Sequence, residues 1–420
     1  MGEAITVVGL GYVGLTLSIF LANKNDNVVG VESSKVTREA LLGGKLTFFE
    51  KGLEHSLRRN LESGKLRIVP KVSEEFDSKY FFICIGSSLQ EVESLKKNLL
   101  DILGEIERTQ SKKKCVFIRT SLPVGFTEEL QNCLTEFSSV NLIYCPERTI
   151  EGSALHELES LPQLIGGDSK ESILEAEIFF ESRGVKTVRL KSSRHAEFSK
   201  LMGNAFRDLL FGISNELAYV AEELGLDFND IREKSRANYP RLEALPIPGP
   251  SAGPCLRKDG LILLAKSGLQ DSLIARAQDR NFLVYSWILA NAQKVRRNQA
   301  VKEILILGVT FKGKPLTSDM RMSFAIEIRD RLSKDFPEAI TKLFDTHKFS
   351  VESPIADLLG ELDSAMNNSD LIILQNNDPF FSTMEFKALL SKHNSTTVLD
   401  LWNQTSQREN ILTFGGGSGF

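Results

Sequence analysis

"AITVVGLGYVGLTLSIFLANKNDNVVGVESS", residues 4–34, decides the fold. The apolar run Ile5 to Val8 has the length of a buried strand, and Gly9, Gly11 and Gly14 follow it in the pattern G-x-G-x-x-G. An apolar-periodic helix comes next, then "NVVGVE", a second strand ending on Glu32. Each glycine has a separate use: one for a tight turn, one so that backbone can approach a pyrophosphate, one for helix-sheet packing. Tyr12 and Val13 stand between them at the helix start, where backbone amides face an anion. A glycine-rich structural turn would explain the glycines alone. The strand before, the helix after and the acid beyond favour dinucleotide binding by Gly9, Gly11, Tyr12, Val13, Gly14 and Glu32. Glu32 would accept hydrogen bonds from a ribose hydroxyl and repel a 2′-phosphate, so the expected cofactor is NAD rather than NADP.

Outward from this unit the texture repeats. "KYFFICIGS" (79–87), "KCVFIRTS" (114–121) and "VNLIYCPE" (140–147) are short apolar strands ending in small or polar residues, with helical stretches such as "SLKKNLLDILGEIE" (94–107) between them. From about Ser192 helical spacing runs unbroken toward Gly225, with Phe198, Leu201, Ala205, Leu209, Ile213, Leu217 and Val220 as its apolar face. A second helical stretch spans roughly 270–297. Strand-turn-helix texture returns at "KEILILGVTFKGK" (302–314), with further strands at "ITKLFDTH", "DLIILQNND" and "TTVLDLWN". Its turn has Gly308 and Gly313 but no three-glycine fingerprint, so no second dinucleotide is expected there. The prediction is an α/β protein: two Rossmann-like, doubly wound parallel-sheet domains joined by a helical middle domain with a long central helix. The expected boundaries are 1–192, 193–299 and 300–414, with a flexible low-complexity tail at 415–420.

Composition bounds the function. The 420 residues carry a net charge of −4, with 42% hydrophobic and 25% charged side chains, which offers no broad field for nucleic acid or an anionic membrane. Five cysteines without a C-x-x-C pair argue against a disulfide framework or zinc cluster and for a reduced, cytoplasmic setting. The N-terminus reads as lacking a secretory leader, and no apolar run reaches the ~18 residues of a membrane span.

The chemistry concentrates in "PIPGPSAGPCLRKDG" (246–260). A loop rich in Pro and Gly gives Cys255 rigidity and backbone amides but little apolar lining, so a nucleophilic thiol is favoured over a space-filling one. Lys258 close by would favour the thiolate. On the long helix Lys200 and Asn204 stand i, i+4 and either aim at one point or belong to a solvated polar stripe. Glu147 and Glu151 follow a strand end, as ligands of a site or as acids at a helix start. Thr120 and Ser121 end another strand, as hydroxyls beside a cofactor or as a plain turn. Ser87 is a further cofactor-side candidate. His55, His156, His195, His347 and His393 have neither triad context nor metal-ligand spacing, and no metal is expected.

Taken in order, "GLGYVGL", "FEKGL", "TSLPVG", "PERTIEG", "AEFSKLMGNAF", "NELA", "PGPSAGPCLRKD" and "LGVTFKGKPLTSDMR" resemble the motifs of nucleotide-sugar dehydrogenases, the UDP-glucose/GDP-mannose dehydrogenase family. The resemblance spans nearly the whole chain. It implies oxidation of a sugar C6 hydroxymethyl to a carboxylate with two NAD, through a Cys255 thiohemiacetal and thioester. It makes Lys200 and Asn204 stabilisers of the oxyanion, Asp259 a partner that orients Lys200 or water, and Glu147 and Glu151 acids of the substrate and hydrolysis machinery. Ser121 falls near the catalytic water and Lys258 on the cofactor side. Gly253, Phe311 and Lys312 fall on substrate-binding motifs, as does Arg241, which the family often contributes from a neighbouring subunit. The implied partners are a nucleotide-sugar and a second copy of the chain, as a homodimer or higher oligomer, with no nucleic acid or membrane. Pro250, Ser251, Ala252 and Pro254 depart from the glucose-specific pattern, "ICIGSSL" and "SDMRMSF" vary common positions, and Trp402 stands where an arginine is frequent. "GPCLRKD" and "LPQLIGG" resemble the branch acting on UDP-N-acetylhexosamines. UDP-glucose or GDP-mannose oxidation is the alternative, ahead of a one-step hydroxy-acid dehydrogenase or a non-catalytic nucleotide-binding homologue.

Overall fold

The computed structural model describes residues 3–87, 92–134, 139–269, 271–346, 355–405 and 408–417, with the side chains of 355–358 excepted; His347 and the end of the tail lie outside them. The chain forms two compact units, residues 1–203 with 262–268, and residues 204–261 with 269–420. The stretch expected to be a separate middle domain is therefore shared between the two.

The first unit is built on an eight-stranded sheet: β1 (Ala4–Val8), β2 (Asn27–Val31), β3 (Leu66–Val69), β4 (Tyr80–Ile83), β5 (Lys114–Ile118), β6 (Val140–Tyr144), β7 (Gln163–Gly167) and β8 (Thr187–Arg189), in the order β3-β2-β1-β4-β5-β6-β7-β8. The first six strands are parallel, and Val8 pairs level with both Val31 and Ile83. Their carboxyl ends therefore share one edge, with the order reversing between β1 and β4, where doubly wound sheets bind ligands. Both faces are covered, which is why these strands read as continuous apolar runs: every residue of β4 and β5 is buried. Beneath them Phe82 and Phe117 stack at 4.5 Å, with Phe179 and Phe180 against the same pair.

One pair of neighbours in this sheet departs from the parallel arrangement. β7 runs antiparallel to β6. An antiparallel successor starts at the edge where its neighbour ends, so the connection from Cys145 to Pro162, with its short helix Ala154–Ser160, stays at the ligand edge instead of crossing a sheet face.

The second unit has a five-stranded, wholly parallel sheet of β9 (Glu303–Leu307), β10 (Ile340–Phe344), β11 (Leu371–Leu374), β12 (Thr397–Asp400) and β13 (Ile411–Thr413), ordered β10-β9-β11-β12-β13. The helix Asn281–Asn298 supplies Val284, Trp287, Ile288, Ala292 and Val295 to the same core as Ile304, Ile306 and Ile373. In the tail, Gly415 accepts a backbone hydrogen bond from Asn229, and the Gly417 amide reaches Glu222.

The helix Ser193–Glu223 is 31 residues long, as its spacing predicted, but its apolar face is not the one expected. Leu201 and Ala205 are buried, whereas Phe198, Ile213, Leu217 and Val220 are exposed, together with Met202 and Phe206. The buried face instead carries Glu197, Asp208, Ser214, Asn215 and Glu222. The helix has two apolar stripes, and spacing alone does not separate the inner from the outer. Phe117→Ala, which empties the centre of the phenylalanine stack, should cost about 3–5 kcal/mol, measured as a lowered midpoint in guanidinium unfolding.

Candidate functional site

The three fingerprint glycines divide their work as the pattern requires. Gly9 has φ +88°, and a Cβ there would meet the Cys84 carbonyl at 2.8 Å; at Gly14 it would fall 1.8 Å from the Gly9 oxygen. Gly11 has nothing within 4 Å, so only the middle glycine faces open space. The helix Tyr12–Asn23 starts without a side-chain cap and without an acid in its first turn, which leaves its leading amides for an anion. Glu32 accepts from the Leu10 amide at 3.1 Å and the Ser34 amide at 2.8 Å, while Arg38 donates to its backbone carbonyl. These residues fit an NAD pyrophosphate and ribose.

Along the same edge Ser87 and Ser121 are half-buried, and the Thr120 hydroxyl bonds the Ile85 carbonyl at 3.0 Å, tying the end of β5 to that of β4. Arg119, 3% exposed, forms an ion pair with Glu147 and donates to Gln163 at 2.8 Å. Burial would raise the Glu147 carboxyl, but the Arg119 guanidinium outweighs it and holds the group below the usual range, with the Thr149 amide adding to the effect. Its other oxygen accepts from the Arg148 and Thr149 amides at 2.7 and 2.8 Å. Glu147 is thus an ionised group that shapes the turn leading to Glu151.

Glu197, fully buried on the long helix, caps the helix Phe126–Cys133: its oxygens accept from the Gly125 and Thr127 amides at 2.6 and 2.8 Å and from the Thr127 hydroxyl at 2.6 Å. Burial pushes its carboxyl up to about 7 against the pull of these donors. The cap fixes the far end of the Thr120–Gly125 segment to the helix that carries Lys200 one turn later.

In the second unit Cys255 does not sit in a loop. The segment is irregular only as far as Gly253, and the helix Pro254–Leu264 places Cys255 in its first turn, exposed. A helix start stabilises negative charge, and Lys258, at i+3, adds a cation on the same face. Cys84 and Cys115 are buried instead, and burial pushes both of those thiols up to about 12. Asp259, fully buried, accepts from the Asn204 amide at 2.7 Å. The approach to Cys255 is held by a buried polar chain. Ser251 donates to Asp208 at 2.6 Å, Asn281 receives the Ser251 amide at 2.9 Å, and Asn215 receives that of Gly249 at 2.8 Å. Gly253, at φ +91°, lies so close to Phe311 that a Cβ would sit 2.6 Å from the ring. Phe311 and Lys312 ride on a turn whose flanking amides are held by Asp345 and Asn377. Trp402 backs Gly249 with the same closeness, 2.8 Å, and donates to the Gln375 carbonyl. Arg241 is exposed and stacks over Tyr239.

The structure therefore brings together Asn204 with Asp259 and Gly253 with Phe311, and lines up Gly9, Gly11, Gly14, Glu32, Ser87, Thr120, Ser121 and Glu147 along one sheet edge. Sequence reasoning gave no role to Glu50, Arg119, Asp208, Asn215 or Asn281, because nothing in the spacing of a polar residue marks it as buried. For Glu197 a signal existed: it stands four residues before Leu201 and eight before Ala205, on the buried stripe.

The NAD-binding-domain model of the UDP-glucose/GDP-mannose dehydrogenase family matches residues 3–182, and that family's central-domain model matches residues 194–282. A UDP-N-acetyl-D-mannosamine dehydrogenase of Methanocaldococcus jannaschii is 28% identical over 96% of this chain and 93% of its own. Its counterpart in Escherichia coli K12 is 26% identical over 88% and 92%. Among solved structures, a UDP-D-ManNAc dehydrogenase from Pyrococcus horikoshii has a TM-score of 0.84 at 22% identity, covering 99% of this chain and all of that one. A UDP-glucose dehydrogenase from Pyrobaculum islandicum has 0.80 at 19%, covering 100% and 98%. Fold and fingerprint define an NAD-dependent oxidoreductase that acts on a CH-OH group. The chain belongs to the UDP-glucose/GDP-mannose dehydrogenase family.

Gly14→Ala forces the Gly9 turn to move, and NAD affinity should fall at least tenfold, about 1.4 kcal/mol, by calorimetric titration.

Proposed function

We propose that this enzyme oxidises the C6 hydroxymethyl of a UDP-N-acetylhexosamine, first among them UDP-N-acetyl-D-mannosamine, to the uronate. The observation that carries the chemistry is Cys255 in the first turn of the helix Pro254–Leu264, with Lys258 one turn on and Asp259 tied to Asn204. The names of the relatives support the sugar, as does the likeness of "GPCLRKD" and "LPQLIGG" to that branch.

NAD, when bound, takes one hydride from C6 in each of two rounds. The protein does the rest. The first loss leaves an aldehyde, and the Cys255 thiolate adds to its carbon to form a thiohemiacetal whose oxyanion Lys200 and Asn204 stabilise. Asp259 holds Asn204 in register for this task. Loss of the second hydride turns the thiohemiacetal into a thioester. Water, served by Ser121, Glu147 and Glu151, opens the thioester to carboxylate and returns the thiol. In sum, one alcohol, one water and two NAD⁺ give one carboxylate, two NADH and three protons. Phe311, Lys312, Gly253 and Arg241 bind the nucleotide-sugar, Arg241 from a neighbouring subunit. We assign the work to the cytoplasm, where NAD is available and thiols stay reduced.

The test is to supply excess NAD with limiting UDP-N-acetyl-D-mannosamine, UDP-N-acetylglucosamine, UDP-N-acetylgalactosamine or UDP-glucose in turn. Two NADH per sugar are expected with the first. One per sugar would refute the thioester route, and turnover of UDP-glucose alone would refute the sugar assignment. Cys255→Ala should lower uronate formation by ~1000-fold or more; a normal rate would overturn the nucleophile.

The assembly we propose is a homodimer through the long helix, whose Phe198, Met202, Phe206, Ile213, Leu217 and Val220 form an exposed apolar seam. That is more apolar surface than a solvated helix carries without a partner. Leu217→Asp should convert dimer to monomer in light scattering after size exclusion; an unchanged mass would reject this seam.

A further inference from the structure

We infer that Glu50 is a positioning residue for this reaction: it fastens the loop that carries Glu151 to the first residue of the helix Tyr12–Asn23, where the NAD pyrophosphate is expected. The inference rests on the proposed role of Glu151 in hydrolysis.

Glu50 is a carboxylate only 4% exposed, a placement that costs free energy unless its lone pairs are engaged. They are. Tyr12 donates its hydroxyl to one oxygen, which also accepts the Gly152 amide at 2.7 Å; the other oxygen accepts the Ala154 amide at 2.9 Å. The Gly152 amide lies 2.7 Å from the Tyr12 oxygen as well, so the three groups form a closed cluster. Phe48 packs on the Tyr12 ring at 4.7 Å and fixes its direction. Burial, reinforced by the hydrogen bond to Glu50, pushes the Tyr12 hydroxyl well above its ordinary value, so it remains a donor throughout the working pH range.

The rest of the loop is held in the same way. Glu147 takes the Arg148 and Thr149 amides, Glu157 takes the Ile150 amide at 2.7 Å, and the Ser153 amide bonds the Ile150 carbonyl at 3.1 Å. Glu50, Glu147 and Glu157 thus each collect backbone donors from this one short loop. Glu147 and Glu157 belong to the loop's own stretch of chain. Glu50 comes from the turn before the helix Leu53–Glu62 and is the one that also grips Tyr12. It joins the cofactor edge to the hydrolysis loop, so the two are set by one group.

The test uses Glu50→Gln in the full-length enzyme. Gln turns an amide N–H toward donors, so the cluster loses at least one bond at constant volume. Hydrogen exchange in the peptide spanning 148–156 should accelerate about tenfold, the equivalent of one hydrogen bond. The rate constant kcat with NAD and UDP-N-acetyl-D-mannosamine should fall at least tenfold, with both KM values within threefold. The deciding measurement is the cycle with Glu151→Gln. If Glu50 acts through that loop, the double variant is no slower than Glu151→Gln alone. Unchanged exchange, a kcat within twofold of wild type, or two fully multiplicative losses would each overturn the inference. A Glu151→Gln enzyme with full activity would instead overturn the role of Glu151, a result visible without touching Glu50. Should Glu50→Gln not fold, Tyr12→Phe removes a bond of the same cluster from the other side. A two- to fivefold loss of kcat that disappears in the Glu151→Gln background supports the inference, and no loss overturns it.

Discussion

A carboxylate that accepts two or more backbone N–H groups is the interaction on which this protein's loops depend. Glu32 holds Leu10 and Ser34, Glu50 holds Gly152 and Ala154, Glu147 holds Arg148 and Thr149, and Glu197 holds Gly125 and Thr127. In the second unit Asp345 holds Val309 and Thr310, and Asp400 holds Trp402, Gln404 and Thr405. The physical basis is reciprocal. A loop at a sheet edge has amides without ladder partners, and a desolvated carboxylate needs donors; an unmet amide costs about 1–3 kcal/mol, and a bond to a charged acceptor is worth about 1.5–3 kcal/mol. Joining the two removes both penalties and leaves a loop with one conformation. Catalytic loops need that rigidity most, because a displacement of an ångström can cost a large factor in rate.

The sheets decide where such loops lie. In the first unit the six parallel strands deliver Gly9, Glu32, Ser87, Thr120 and Glu147 to one edge, and the antiparallel β7 prevents the next connection from leaving it. In the second, the turn after β9 carries Phe311 and Lys312 between the ends of β10 and β11, with Asp345 and Asn377 as its braces. There Asp345 accepts the Val309 and Thr310 amides, much as Glu32 accepts that of Leu10 in the first turn.

Much of this was legible in the residues. A glycine triplet between an apolar strand and an apolar helix has few other uses, and β1, β2, β4, β5, β6, β9, β10, β11 and β12 stand where period and composition put them. The short β13 escaped because three residues carry no period. The long helix was legible in length but not in facing, since Phe198 and Leu201 are equally apolar and only tertiary packing decides which one turns inward. Cys255 stood out in the sequence as a candidate nucleophile, yet its proline-rich surroundings suggested a loop. Pro254 in fact opens a helix, a position that suits its fixed φ and missing N–H. The buried carboxylates were the least legible group. Charge alone marks a residue as surface, and what brings Glu50 inside is a set of amides about a hundred residues further along the chain.

The same logic bears on the segment that carries Cys255. Two of the residues that depart from the glucose-specific pattern are tied into buried contacts: Ser251 to Asp208 and Asn281, and Trp402 against Gly249. A serine side chain at 251 is satisfied only because Asp208 and Asn281 face it, and Trp402 fits only because Gly249 has no Cβ. Reverting one of these positions alone would leave its partners with an unmet hydrogen bond or a void. The conformation of the cysteine segment is therefore set by its underside as much as by its own exposed residues. Exchanging the exposed residues alone would graft a new surface onto supports built for the old one.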